Sequence, residues 1–374
     1  MLDAKQRCSV VFVFGGQSSE HEISCLTAVG VLDALEDARF EAHGIGITKA
    51  GRWVRCTADQ IKALHTDEAG NLPVVDDTLP TAVLFRDGDK VLLATRDGDR
   101  LIDTIDVDVA FPLLHGPFGE DGTIQGYFEM LGLPYAGAGV SASAVGMDKH
   151  LAKIAFAAAG LFVEPFVAME EPGWTTEQAL EAVHDSPLLY PLYVKPTRGG
   201  SSVGVRRVKS QEELADAIDH ARLFDTHVII EQGAVNYREV ECSVLGPLPG
   251  TAQTRASRPG EVIMRTKDGF YDYEAKYLAD EAELVVPADL PDDMLQLVRR
   301  MAIRAFEAIG GEGLSRVDSF VLADGTVLIN EVNTMPGFTP ISMFPKLWEA
   351  DGLSYPDLIT DLIEQALARP VWSR

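Results

Sequence analysis

The sequence predicts an open α/β domain followed by α+β units, and three observations carry that expectation. The apolar run Val10-Val11-Phe12-Val13-Phe14 passes through Gly15-Gly16 into a segment with Ile23, Leu26, Thr27 and Gly30 at helical spacing, giving strand, glycine turn and helix in succession. Strand candidates ending at Gly46-Ile47-Thr48 and running from Val107 to Leu114 repeat the alternation. Towards the C-terminus, Leu314 to Phe320 and Val327 to Asn333 flank Ala323-Asp324-Gly325 and read as a hairpin.

The remaining elements follow in order. Ser19-Glu20-His21-Glu22 has the Ser-x-x-Glu spacing of a capping box at the start of the first helix. Residues 66–104 show no sustained period and accommodate several short strands. A new unit begins near Met147-Asp148-Lys149, where an alanine-rich helix precedes Pro165 and a strand-like stretch from Leu188 to Val194. Ser210-Gln211-Glu212-Glu213 repeats the capping-box spacing ahead of Leu214, Ala217, Ile218 and Ala221, and His227 to Glu231 reads as the next strand. Leu295, Val298, Ala302, Ala305, Phe306 and Ile309 form an apolar stripe that stops at Gly310-Gly311. Thr266 to Tyr277, mixing aromatic and charged residues without a period, reads as a surface loop or an active-site lid.

With 374 residues and 46% apolar content, the chain is long enough for two or three cores. Acidic residues outnumber basic ones by 57 to 32, a net charge of −25 that repels a nucleic-acid backbone and argues against nucleic acid as a partner. A nucleotide remains compatible, because a few lysines and divalent cations create local positive potential. Cys8, Cys25, Cys56 and Cys242 are scattered, which fits neither a zinc site nor a disulfide framework and suits a reducing cytosol. The first apolar run is far shorter than the roughly 20 residues of a membrane helix, so no membrane partner is expected.

The C-terminal hairpin holds the most informative pattern. With a period of two, Arg316 and Asp318 share one face of their strand, and Glu331 and Asn333 share one face of the next. Two carboxylates and an amide on one sheet face suit magnesium bound with phosphates; equally, such a face is often only a solvated polar surface. Lys195 stands at a strand end before Pro196-Thr197-Arg198-Gly199-Gly200-Ser201-Ser202-Val203-Gly204, where small residues let backbone N–H groups approach phosphate oxygens. This loop is neither a Walker A motif nor the dinucleotide glycine fingerprint, and taken alone it reads as well as a plain hairpin loop.

Together with Gly-Gly-Gln-Ser-Ser-Glu-His-Glu-Ile-Ser (15–24), Leu-His-Gly (114–116), Met-Asp-Lys (147–149), Tyr-Asp-Tyr-Glu-Ala-Lys-Tyr (271–277) and Asn-Glu-Val-Asn-Thr-Met-Pro-Gly (330–337), these segments resemble the D-alanine:D-alanine ligases of the ATP-grasp superfamily. The ordered set spans nearly the whole chain. The resemblance implies a Rossmann-like N-terminal domain (1–146) followed by two ATP-grasp subdomains, central (147–235) and C-terminal (236–374). It implies joining of two D-alanine molecules through a D-alanyl phosphate, with ATP as co-substrate and two magnesium ions, manganese being a substitute. A cytoplasmic homodimer supplying peptidoglycan synthesis is the family expectation.

The resemblance also assigns residues. Lys149, Lys195, Ser201, Ser202 and Lys276 contact ATP phosphates, and Glu231, Ala234 and Glu239 border adenine and ribose. Asp318, Glu331 and Asn333 match magnesium ligands, and Arg316 an oxyanion stabiliser. Glu20 matches the holder of the first substrate's ammonium with His115 nearby, while Gly337 and Ser342 take the second carboxylate. Tyr277 links through Ser201 to Glu20. The chain departs from the family pattern in lacking a glycine just before Arg238-Glu239.

Two neighbouring readings keep the same phosphate chemistry: a D-alanine ligase with D-lactate or D-serine as acceptor, and an ATP-grasp carboxylate–amine ligase for other amino acids. A non-catalytic nucleotide-binding protein and a nicotinamide oxidoreductase are the rivals outside that chemistry, the latter without its glycine fingerprint. The Glu274-Ala275-Lys276-Tyr277 form of the lid favours D-alanine as acceptor. Tyr277→Phe is therefore expected to loosen acceptor choice, read as the ratio of kcat/KM for D-alanine to that for D-lactate; an unchanged ratio removes Tyr277 from acceptor selection.

Overall fold

The computed structural model describes residues 7–248, 250–251, 253–264 and 282–369. Its described residues form three sheets, met in sequence order along the chain. The first is built from β1 (Cys8–Gly15), β2 (Phe40–Ile47), β3 (Trp53–Cys56), β4 (Thr81–Asp87), β5 (Lys90–Asp97), β6 (Arg100–Val107) and β7 (Val109–Pro112) in the order β6-β5-β4-β3-β2-β1-β7. Only β1 with β2 and β1 with β7 pair in parallel. β1 lies between them and is buried almost throughout, which is why it reads as a continuous apolar run.

The unassigned stretch 66–104 becomes an antiparallel extension. β4, β5 and β6 join through two-residue turns with Gly88 and Gly98 at φ of 60° and 57°, where glycine avoids the steric cost. The strand expected from Val107 to Leu114 is split, because Val107 closes β6 and Val109 opens β7.

Helix α1 (His21–Ala34) starts later than the capping-box spacing implied. Glu20 occupies the N-cap and makes no side-chain cap hydrogen bond, so the Ser19–Glu22 box is not formed. The second expected box fails too: Ser210 caps α7 (Gln211–Ala221) without its side chain, and Glu213 accepts from Lys209 N–H instead. The spacings mark the helix starts to within about a residue while misassigning the bonds.

The second sheet runs β10-β9-β11-β8, from β8 (Phe166–Met169), β9 (Leu192–Pro196), β10 (Arg206–Val208) and β11 (Val228–Gln232). β9 begins at Leu192, four residues later than the sequence reading, and α6 (Thr176–His184) packs with α7 over an apolar layer that includes Trp174, Leu214 and Ile230. The third sheet combines β12 (Tyr237–Leu245), β13 (Arg255–Ala256), β14 (Gly260–Met264), β15 (Ala282–Val285), β16 (Leu314–Leu322) and β17 (Val327–Asn333) in the path β15-β14-β12-β16-β17, with β13 beside β12. Its core takes side chains from α5 (Lys149–Ala158) and α8 (Asp292–Ala308), so the alanine-rich helix packs with the third sheet although it precedes the second in sequence.

After β17 the chain returns to the first domain. Helices α9 (Met343–Ala350) and α10 (Tyr355–Ala368) place Phe344, Trp348, Leu358 and Ile363 in the same core as Phe12 and Phe111. Phe338, fully buried, links the two ends of the chain, with its ring 6.1 Å from Phe111 and 5.6 Å from Phe344. All four cysteines are free and buried. No helix among the described residues is long and apolar enough to cross a membrane. Phe338→Ala should cost about 3–5 kcal/mol through the cavity it leaves, measured as a lower urea midpoint with an unchanged slope; a loss under about 1 kcal/mol would show the junction to be held elsewhere.

Candidate active site

The hairpin β16–β17 positions the acidic residues. Register pairs Glu241 of β12 with Asp318 of β16, and Asp318 with Glu331 of β17, so three carboxylates stand at one level on adjacent strands. One level along, Ser243, Arg316 and Asn333 are paired in the same way. A bulge between Asp318 and Ser319 shifts the register just past the carboxylates.

Arg316 compensates this row. Its Nε and Nη2 donate to the two oxygens of Asp318 at 2.7 Å each, and its Nε lies 3.0 Å from Glu241 Oε2. Asn333 Nδ2 donates to Asp318 Oδ2 at 2.9 Å. Glu241 and Asp318 are both buried, so losing the guanidinium would strand their charge in a poorly solvated site.

Lys149 opens α5 under Asp148, whose carboxylate accepts from the N–H groups of His150 and Leu151. Its backbone N–H donates to Thr197 O, and its Nζ to Gly199 O at 2.7 Å, fastening the helix start to the small-residue loop. In that loop Ser201 and Ser202 take positive φ of 51° and 58°, and the N–H groups of Val203 and Val205 close the turn onto Gly200 O and Ser202 O. Lys195 donates to Glu231 Oε2 at 2.6 Å. Burial opposes the lysine's charge, yet Glu231 outweighs it and raises the pKa. Burial likewise works against the Glu231 carboxylate, but Lys153 and Lys195 pull it down to about 2.

On the N-terminal side, Glu20 is buried, and a Cβ placed on Gly116 or on Gly200 would come within 3.3 Å of its Oε2. Glycine at both positions lets two loops close on one carboxylate. His115 donates from Nδ1 to Met335 O at 3.0 Å and places Nε2 3.4 Å from the Thr27 hydroxyl. A carbonyl only accepts, so the proton sits on Nδ1, and burial, against the pull of Glu20, keeps the ring neutral. Ser342 caps α9 and shares a 2.7 Å hydrogen bond with Thr339, and a Cβ on Gly337 would lie 3.1 Å from its Oγ.

These residues line two adjoining cavities. The first collects Lys149, Lys195, Ser201, Ser202, Glu231, Ala234, Glu239, Asp318 and Glu331. The second collects Glu20, His115, Lys149, Ser201, Arg316, Glu331, Asn333, Gly337 and Ser342. Lys149, Gly199, Gly200, Ser201, Glu241 and Glu331 border both, so the glycine loop and the acidic row form their shared wall. Lys276 and Tyr277 lie outside the described residues.

Sequence reading missed several residues of this site. Glu120 accepts from Gly116 N–H at 2.7 Å and from Met335 N–H at 3.1 Å, tying a loop of the first domain to the segment after β17. Burial, with Glu20 adding repulsion, pushes its carboxyl up to about 8. Its only sequence signal was its place in His115-Gly116-Pro117-Phe118-Gly119-Glu120. Glu241 was legible only through strand pairing, and Lys153 and Glu164 only through the fold.

Family models described as D-ala D-ala ligase N-terminus and D-ala D-ala ligase C-terminus match residues 9–138 and 155–364. A D-alanine--D-alanine ligase of Kocuria rhizophila is 47% identical over 372 residues, covering 98% of this chain and 95% of that protein. The enzyme of that name from Bifidobacterium adolescentis is 45% identical, over 97% of this chain and all of its own. Among solved structures, the VanG D-Ala:D-Ser ligase of Enterococcus faecalis aligns with TM-score 0.81 at 32% identity, covering 96% of this chain and 100% of that one. The D-alanine-D-alanine ligase of Coxiella burnetii aligns with TM-score 0.80 at 33% identity over 96% and 94%.

Arg316→Leu should destabilise the protein by about 3–5 kcal/mol, because it leaves the buried acids uncompensated. Arg316→Leu combined with Glu241→Leu, which removes one charge of each sign but leaves Asp318 without its cation, is expected to recover part of that loss in urea unfolding; equal losses for the two variants would contradict the compensation.

Proposed function

The chain belongs to the D-alanine--D-alanine ligase family, and we propose that its two adjoining cavities carry the ATP-dependent joining of two D-alanine molecules for peptidoglycan precursor synthesis. The fold is that of the family, a Rossmann-like N-terminal domain followed by two ATP-grasp subdomains. We divide it at 1–146, 147–235 and 236–374, with α5 as a strut onto the third sheet. The shared wall is the observation that carries the reading, because a nucleotide in the first cavity and an amino acid in the second meet at the glycine loop and Glu331.

In this reading the carboxylate of the first D-alanine attacks the γ-phosphorus, an O–P bond forms, and ADP leaves with the electron pair of the broken bond. The amine of the second D-alanine then attacks the acyl carbonyl; the amide forms, inorganic phosphate departs and the amine proton is released. Glu20 holds the first ammonium beside His115, and the acid-rich pocket around Glu120 favours that cation. Arg316 stabilises the developing oxyanion. Gly337 and Ser342 receive the second carboxylate where α9 begins, and the helix dipole favours an anion there. Lys149, Lys195, Ser201 and Ser202 hold phosphates, while Glu231, Ala234 and Glu239 border the nucleoside. Lys276 and Tyr277 complete the lid in the same proposal.

Asp318, Glu331 and Asn333 are oxygen donors from adjacent strand positions, a set that fits magnesium and, as a substitute, manganese. Two ions bound there would neutralise charge between the β- and γ-phosphates. Cytoplasmic location and homodimeric assembly belong to the same proposal and rest on family resemblance.

The kinship with a D-Ala:D-Ser ligase at TM-score 0.81 makes D-serine the second acceptor to test. A coupled ADP assay with magnesium and D-alanine should give turnover and D-alanyl-D-alanine, and Glu331→Gln should lower kcat by at least about a hundredfold, the order of effect of losing one charge-stabilising group. Preference for D-serine or D-lactate over D-alanine would replace the acceptor, and no ADP with any amino acid would end the ligase reading.

A further inference from the structure

Strand register brings a further group of metal-ligating side chains together outside the two cavities. β8 and β11 pair antiparallel with Met169 opposite Val228, so the next residues along, Glu170 and His227, stand across from each other at the end of the ladder. The start of α5 is carried to the same place, because Thr197 N–H donates to His227 O, Lys149 N–H donates to Thr197 O, and Asp148 caps the helix. A carboxylate oxygen of Asp148, one of Glu170 and a ring nitrogen of His227 therefore lie within 4.8 Å of one another. Asp148 is buried; one of its oxygens accepts from the N–H groups of His150 and Leu151, and the other accepts no hydrogen bond among the described residues. Glu170 and His227 keep 30% and 32% of their side-chain surface, so solvent reaches the group.

The neighbouring cation is Arg198, which is held by both oxygens of Asp225 and feels Asp148 and Glu170 only through space. With histidine neutral, the form that ligates metal, three carboxylates face one guanidinium and two negative charges are left over. Two carboxylates and an imidazole suit a divalent transition ion better than magnesium, which prefers oxygen donors alone. We propose that Asp148, Glu170 and His227 bind one divalent ion of the zinc class, with water completing its coordination. Donors around a tetrahedral ion stand roughly 3.4 Å apart, so His227 Nδ1 and Glu170 Oε1, separated by 4.0 Å, need to approach by about half an ångström. His150 Nδ1 lies 2.8 Å from Glu170 Oε1 but is enclosed, so it stays outside the coordination and acts as a positioning residue that aims the carboxylate. The bound ion ties α5, β8 and β11 together around Thr197, beside Lys149 and the glycine loop.

The test uses the full chain without nucleotide or amino acid, so its outcome is independent of the ligase reading. In equilibrium dialysis against zinc, with magnesium in large excess to fill the acidic row, the wild type should take up about one zinc ion per chain. His227→Gln and Glu170→Gln should each weaken that uptake at least about tenfold. His65→Gln, which alters an exposed histidine of the first domain, should leave it unchanged. Zinc should also raise the melting temperature of the wild type and not that of His227→Gln, because an ion that binds only the folded chain stabilises it. With cobalt in place of zinc, a visible absorption band that His227→Gln shifts or removes reports imidazole ligation, which an ordinary histidine–glutamate ion pair does not produce. Should His227→Gln fail to fold, Glu170→Gln is read in the same way. The proposal is overturned if the wild type takes up no zinc, or if His65→Gln lowers uptake as much as His227→Gln does. Uptake that survives both His227→Gln and Glu170→Gln but is lost in Glu331→Gln also overturns it, by placing the ion in the acidic row.

Discussion

The fold around the cleft depends on one electrostatic constraint, a row of three carboxylates on adjacent strands with a single guanidinium lying across it. Glu241, Asp318 and Glu331 are brought to one level by strand register alone, so no local rearrangement can separate them. Like charges at such spacing raise one another's proton affinity unless a cation intervenes. Arg316 supplies it with a two-pronged grip on Asp318 and a third contact to Glu241, a geometry that a lysine's single ammonium cannot reproduce. Glu331 flanks Asp318 on the side opposite Glu241, where, in the proposed reading, a divalent ion and a polyphosphate would complete the balance of charge. The row is therefore stable as protein and still receptive to cation.

Within a chain of net charge −25, Lys149 and Lys195 line the first cavity. Lys149 is fixed by a backbone carbonyl of the glycine loop and Lys195 by Glu231, so in the proposed reading neither has to be ordered from solvent for phosphate to bind. The second cavity is biased the opposite way at its far end, where Glu20 and Glu120 sit together and the neutral His115 adds no charge. In the proposed reading one end receives phosphate and the other an ammonium, and an amino acid placed between them is oriented before any bond forms.

Much of this was legible in the sequence, and the limits have physical causes. Period-two alternation in Arg316–Asp318 and Glu331–Asn333 sufficed to predict a shared face, because side-chain direction in a strand is a local property. The helix starts were legible for the same reason. The cap bonds were not, since Glu20 and Ser210 have non-helical backbones whose side chains are drawn elsewhere. Glu241 joins the site only through the pairing of β12 with β16, across more than 70 residues, and no spacing rule reaches that far. The packing of α5 on the third sheet, and the return of α9 and α10 to the first core, are tertiary choices among several apolar partners of similar character.

That return gives the site its rigidity. β17 carries Glu331 and Asn333, and five residues after Asn333 the chain buries Phe338 between Phe111 and Phe344. The intervening residues cannot drift, because Met335 is held at its carbonyl by His115 and at its N–H by Glu120. Both holding groups belong to the first domain, so the two walls of the second cavity are locked to each other by hydrogen bonds over an aromatic base. A segment anchored by packing at one end and by sheet register at the other leaves Gly337 and Ser342 little freedom. Under the roles proposed for them, placement of the second carboxylate follows from the core of the protein and requires no adjustment by the substrate.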